Sequence, residues 1–210
     1  MRLVTIGDSI TRGTYTEFGD ASPQSIAKPC FAEILKNELK CEELINYGRN
    51  GISYSSLSPV NSDFALSKRI ASFQTGDYVI VAAGTNDFGT DVPLGSLNDD
   101  GDISFAGAVG AVFASLKRRN PKADYFAITP ISRGDKKMNR LGYFLDDYRR
   151  MIELRAKEYG FCIIRGENFT IDPWNVSDRN EYMFDGVHLN GKGHKIYAQF
   201  IVKEMLTGDK

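Results

Sequence analysis

The sequence predicts an α/β fold: a three-layer α/β/α sandwich on a five-stranded parallel sheet. Two observations predict it. Short apolar runs recur along the 210-residue chain and end in turns, and stretches with helical apolar spacing lie between them. Strands that alternate with helices in this way need crossover connections, and a parallel sheet needs helices over both of its faces.

The first run, Leu3, Val4 and Ile6, reads as a buried strand cut off by Gly7-Asp8-Ser9. Further strands are expected at residues 44–46, 79–83, 126–130 and 162–165. Phe31, Ile34, Leu35 and Leu39 share one helical face, as do Phe105, Val109, Val112, Phe113 and Leu116. A third helix presents Phe144, Tyr148, Met151, Ile152 and the apolar stem of Arg155, and a last one Ile196, Tyr197, Phe200, Ile201 and Met205. Residues 62–73 carry a shorter and weaker helical pattern. Segments 84–102, 131–142 and 167–186 are rich in breakers and polar residues and are expected to be irregular. The first two follow strands, so they fall at the carboxyl edge of the sheet, where parallel α/β proteins place ligands. Residues 1–210 are expected to form a single domain.

Composition narrows the function classes. The apolar set is 42% and charged residues are 25%, ordinary for a globular protein and unlike a disordered chain. Twenty-six Lys and Arg oppose 27 Asp and Glu. The short basic pairs Arg118-Arg119, Lys136-Lys137 and Arg149-Arg150 are too sparse to track a phosphate backbone, so no nucleic acid is expected as a partner. Cys30, Cys41 and Cys162 are odd in number and lack metal-ligand spacing, which suits small buried residues in a reducing compartment. No run approaches the ~18 apolar residues of a membrane helix, and the N-terminus lacks the pattern of a secretory signal, so a cytoplasmic location is expected. The apolar helix faces are needed to cover the sheet, so no oligomeric state is read from them.

Chemistry concentrates on few residues. The chain has two histidines, His188 and His194, and histidine is the commonest general base near neutral pH. His188 lies in Asp185-Gly186-Val187-His188, where a turn can bring the carboxylate to one imidazole nitrogen and leave the other free; a capping turn with a surface histidine is the alternative. His194 sits in the first turn of the last helix without an acidic residue just before it, and packing or exposure accounts for it. Ser9 follows the first strand at a sharp turn that can lift its hydroxyl clear of the sheet, although Asp8 and Ser9 also suit a simple helix cap. Asn86 and Gly51 can each offer a donor to the same edge, and each also serves as an ordinary turn residue. Arg133 is read as a solvated loop charge, with approach to a polar substrate as the alternative.

Four separated motifs resemble the SGNH hydrolases, also called the GDSL-like esterase/lipase superfamily. They are Gly7-Asp8-Ser9-Ile10-Thr11, Asn46-Tyr47-Gly48-Arg49-Asn50-Gly51, Gly84-Thr85-Asn86-Asp87 and Asp185-Gly186-Val187-His188, and they span nearly the whole chain. Ile10 stands where leucine is common, a conservative change. The resemblance implies Ser9 as nucleophile, Asp185 and His188 as its partners, and an oxyanion hole from the N–H groups of Ser9 and Gly51 and the side-chain amide of Asn86. It gives Asp8 the role of organising the turn. It also implies a flavodoxin-like sheet of order 2-1-3-4-5 and chemistry without a metal or organic cofactor.

The expected reaction is ester hydrolysis through an acyl-enzyme. The segments at 84–102 and 131–142 carry Asp91, Asp99, Asp100, Asp102, Arg133, Lys136, Lys137 and Arg140 and few aromatics. That favours a small-molecule ester with a short acyl group, such as an acetyl group on a carbohydrate, over a long-chain lipid. The family also includes acyltransferases, lysophospholipases and thioesterases. A noncatalytic carbohydrate-binding module on the same fold would be marked by loss of Ser9, Asp185, His188 or Asn86, and none is lost.

Overall fold

The computed structural model describes residues 1–17, 24–135 and 137–207, and Lys136 of the basic pair above lies outside them. The chain runs β1 (Arg2–Gly7), α1 (Ser9–Arg12), β2 (Thr14–Thr16), β3 (Gln24–Ile26), α2 (Phe31–Glu38), β4 (Glu43–Gly48), α3 (Leu66–Arg69) and β5 (Tyr78–Ala82). It continues through α4 (Thr85–Gly89), α5 (Phe105–Arg119), β6 (Asp124–Ile128), α6 (Leu145–Tyr159), β7 (Cys162–Ile164), α7 (Val176–Tyr182) and α8 (Gly191–Thr207).

Five strands form one parallel sheet in the order β4-β1-β5-β6-β7, which is 2-1-3-4-5 when only its own strands are counted. Successive side chains of a strand point to opposite faces, and the two cores follow that alternation. Val4, Ile6, Val79 and Val81 pack with Val109 and Phe113 of α5 and Tyr148 and Ile152 of α6. Leu3 and Ile80 pack on the other face with Phe31 and Leu35 of α2 and Tyr197 and Ile201 of α8. Burial on both faces is why the strands read as nearly unbroken apolar runs rather than as alternating ones.

Register aligns the strand ends. Gly7 pairs with Gly48 on one side and with Ala82 on the other, so β1, β4 and β5 finish level. A Cβ on Gly7 would lie 2.1 Å from the Ala82 carbonyl oxygen and 2.2 Å from Thr11 Oγ1, so only glycine lets the chain turn there.

Several expectations change. Segment 84–102 is not wholly irregular, because Thr85–Gly89 forms a short helix directly after β5. Segment 167–186 holds α7, whose Asn175 cap accepts from the Ser177 and Asp178 N–H groups. Residues 62–73 are broken into a 3-10 turn at Ser62–Phe64, the four-residue α3 and a second 3-10 turn at Ile70–Ser72. Phe144 is the cap of α6 and is half exposed, so it does not share the buried face of Tyr148. The antiparallel pair β2–β3 was not expected; each strand has three residues, too few to show a period. Cys30 and Cys41 are buried, whereas Cys162 is only partly so, and all three are free thiols. No described helix is long and apolar enough to cross a membrane.

Candidate active site at the carboxyl edge of the sheet

The turn after β1 places Ser9 as the first residue of α1. Asp8 caps that helix, and its Oδ1 accepts the Ile10 N–H at 2.9 Å, which fixes the turn. Ser9 Oγ lies 2.8 Å from His188 Nε2. On the other side of the ring, His188 Nδ1 is 2.6 Å from Asp185 Oδ2. Asp185 Oδ1 accepts from the N–H groups of Val187 at 2.9 Å and His188 at 2.7 Å, and Thr16 Oγ1 donates to Oδ2 at 3.4 Å. Burial pushes the Asp185 carboxyl up, but its hydrogen bonds and the charge of His188 outweigh burial and hold it below the ordinary carboxylate value. A hydroxyl, an imidazole and a carboxylate linked in this order can pass a proton from oxygen to ring while the carboxylate fixes the tautomer.

Candidate donors lie after the ends of β1, β4 and β5, which finish level. The Ser9 N–H opens α1 and belongs to the donors that a helix leaves without an internal partner. Gly51 adopts φ +70°, a left-handed conformation that L side chains rarely take, and its N–H makes no backbone hydrogen bond among the described residues. Asn86 Nδ2 donates to the Ile52 carbonyl at 2.7 Å. A primary amide has two protons, so Asn86 can hold this carbonyl and still direct one donor outward. The loop after β4 is thereby tied to the turn after β5.

Two positioning side chains escaped the sequence reading. Asp87 is fully buried and accepts the Tyr54 N–H at 2.9 Å and the Ser55 N–H at 3.0 Å, a second tie from α4 to the loop that carries Gly51. Burial pushes its carboxyl up to about 7; the two amide hydrogen bonds oppose this, and the charge of Asp8 adds to it. Burial likewise raises Asp8 to about 6, against the pull of the Ile10 N–H and the nearby His188. Asp87 stood in a recognised motif, yet only its neighbour Asn86 received a role. Arg133 is the second. It is not the solvated charge expected, since its side chain is 11% exposed. Its Nη1 donates to the Thr85 carbonyl at 2.7 Å and to Thr85 Oγ1 at 3.0 Å, while Nε and Nη2 grip the two Asp135 oxygens at 2.6 and 2.7 Å.

His194 is a packing residue. It is wholly buried, its Nδ1 accepts the Phe31 N–H at 3.3 Å, and it stacks on Phe31 with ring centroids 6.0 Å apart. Burial, with a smaller contribution from His188, lowers its pKa to about 4 and keeps it neutral between α2 and α8. Among the described residues, no group of three or more His, Cys, Asp or Glu side chains is gathered as metal ligands would be.

The arrangement of strand-end serine, amide and Asp-His turn defines a class of α/β hydrolytic proteins, and comparison with known proteins gives the family. The model of the GDSL-like lipase/acylhydrolase family matches residues 5–196, and the chain belongs to that family of esterase- and lipase-type hydrolases. No curated protein matches the chain. Among solved structures, a protein from Lactobacillus plantarum is similar at 24% identity, with TM-score 0.85 and coverage of 98% of this chain and 96% of that one. A carbohydrate acetylesterase from Sinorhizobium meliloti is 16% identical, with TM-score 0.69 and coverage of 98% of both chains. The aryl esterase of M. smegmatis is 13% identical, with TM-score 0.63 and coverage of 98% of both. At these identities the structural likeness shows the fold alone.

Proposed function

We propose that the protein is a serine esterase that hydrolyses short-acyl carboxylic esters through an acyl-enzyme, with Ser9 as nucleophile, His188 as general base and Asp185 as its orienting partner. The observation that carries this reading is the continuous link from Ser9 Oγ to His188 Nε2 at 2.8 Å and from His188 Nδ1 to Asp185 at 2.6 Å. His188 takes the Ser9 proton as Oγ bonds to the ester carbonyl carbon, and the carbonyl oxygen becomes an oxyanion. The N–H groups of Ser9 and Gly51 and the Asn86 amide stabilise that oxygen, because they are held in place before charge develops there. The imidazolium then gives its proton to the leaving alcohol as the C–O bond breaks. A water activated by His188 attacks the acyl carbon and releases the acid and free Ser9.

The favoured substrates are acetylated carbohydrates and similar small polar esters. The scarcity of aromatic residues in segments 84–102 and 131–142 and the presence of a carbohydrate acetylesterase among the structural neighbours support this. A panel of 4-nitrophenyl esters of rising acyl length, run beside acetylated sugars with Ser9→Ala as control, tests the reading. Activity confined to short acyl groups and lost in Ser9→Ala is expected. Undiminished turnover in Ser9→Ala, or covalent labelling of that variant by a serine-directed phosphonate, would remove Ser9 from the reaction.

A further inference from the structure

Beside the edge strand β4, a cavity of about 820 Å³ opens between that strand and the segment at residues 61–73. Arg12, Arg49 and Arg69 stand on its walls, and no Asp or Glu lines it. None of the three arginines enters an ion pair among the described residues. The Arg49 guanidinium lies 3.5 Å from the centre of the Phe64 ring, and that of Arg69 lies 5.5 Å from the same ring. Two like charges are therefore drawn to one ring without a counter-charge, in a protein whose formal net charge is −1. Cationic walls with no acid among them favour an anion, and guanidinium forks match carboxylate, phosphate and sulfate oxygens.

The position of the cavity gives this a purpose. Asn50 and Ile52 line it, and they flank Gly51. The Ile52 carbonyl is the group that Asn86 holds. Arg12 lies on α1 three residues after Ser9, and residues at that helical spacing have Cβ atoms about 5–6 Å apart. The cavity therefore borders the two segments that carry Ser9 and Gly51.

We propose that the Arg12, Arg49 and Arg69 cavity is an anion subsite, and that the protein prefers esters carrying a carboxylate, phosphate or sulfate on the substituent that enters it. The preference rests on the esterase reading above, but the binding of the anion does not. One experiment separates the two. Calorimetric titration of phenyl phosphate into Ser9→Ala probes the cavity without turnover. Binding that weakens at high salt, and that falls at least tenfold when Arg49→Gln and Arg69→Gln are added to Ser9→Ala, is expected. No binding, or binding unchanged by the arginine substitutions, would overturn the subsite.

Kinetics then test the preference and its source in an otherwise unaltered chain. The acyl arm compares 4-nitrophenyl hydrogen succinate with 4-nitrophenyl acetate, and the alcohol arm compares 4-acetoxybenzoate with 4-acetoxybenzamide. In one arm, Arg49→Gln with Arg69→Gln should lower kcat/KM for the anionic ester about tenfold or more and leave its neutral partner within twofold. The arm that responds tells whether the anion belongs to the acid or to the alcohol. Equal losses on anionic and neutral esters, or no loss in either arm, would overturn the preference. Inactivity of the unaltered chain on every ester would defeat the esterase reading and with it the preference, and the titration would still decide whether the cavity binds anions.

Discussion

Replacing Asp185 with asparagine keeps shape and volume, removes the carboxylate charge and changes the hydrogen-bonding character of the atom that faces His188. Asp185 Oδ1 accepts two backbone N–H groups at 2.7 and 2.9 Å, so the single oxygen of an asparagine must take that place or leave both donors unmet. Leaving one buried donor unmet costs about 1–3 kcal/mol, which sets the orientation. The new NH₂ then occupies the Oδ2 position, 2.6 Å from His188 Nδ1 in the parent chain, and donates to it. The imidazole must place its proton on Nε2, facing Ser9 Oγ, where it can no longer accept the serine proton. Because the two backbone bonds survive, the fold should persist. By analogy with the same exchange in serine proteases, kcat should fall by about 10⁴-fold, or about 5.4 kcal/mol. Steady-state kinetics on a short-acyl ester measure the loss, and ¹⁵N NMR of labelled histidine identifies the tautomer. A kcat within tenfold of the parent, or a His188 ring still protonated on Nδ1 alone, would refute the reasoning.

Asn86→Ala should reduce kcat by roughly 10²- to 10³-fold through loss of one oxyanion donor, and it should also lower the melting temperature because the Ile52 carbonyl loses its partner. Kinetics and thermal melts read the two effects separately, and an unchanged kcat would remove Asn86 from the hole. The third expectation concerns pH. The folded Asp87 carboxyl lies at about 7 against an ordinary 3.8, so the folded chain holds this proton more tightly than the unfolded chain does. Its contribution to stability is therefore greatest below the ordinary value and declines as pH rises toward about 7, by about 1.4 kcal/mol for each unit between the two values as an upper limit. Urea unfolding at pH 6 and pH 8 should show a loss of stability most of which Asp87→Asn removes, the remainder coming from Asp8 at about 6, and an equal loss in the variant would discard the assignment.

The long elements were readable because their periods are set by burial. Val109, Val112, Phe113 and Leu116 on α5, and Tyr148 and Ile152 on α6, are each 0% exposed and recur at helical spacing. Leu3, Val4 and Ile6 read as a strand because both faces of β1 are covered. Elements held by a few polar contacts gave no such period. α3 spans four residues, and the turns around it are fixed in part by the Tyr54 and Ser53 carbonyls, which accept the N–H groups of Ser67 and Leu66. Phe144 fits the apolar spacing of α6, but the chain starts the helix one residue later and leaves that ring outside. In the candidate site, His188 and Asp185, which hydrogen bonds link to Ser9, were legible because they stand in one short motif whose resemblance pointed to them. Asp87 and Arg133 were not, since what they bind is backbone far away in sequence, and no local pattern records which amide or carbonyl a side chain will meet.

Strand ends that finish level supply the location of a site but not its precision, because Gly51 sits on an irregular loop after β4, and Ser9 and Asn86 sit on helices of only four and five residues. The precision comes from ties across the loops. Asn86 holds the Ile52 carbonyl, Asp87 holds the Tyr54 and Ser55 amides, and Arg133 holds the Thr85 carbonyl while Asp135 fixes its other edge. Gly51 is thus positioned by α4, and α4 by the loop after β6. A donor placed this way needs little rearrangement when charge develops on a bound oxygen, which is what makes such a donor effective.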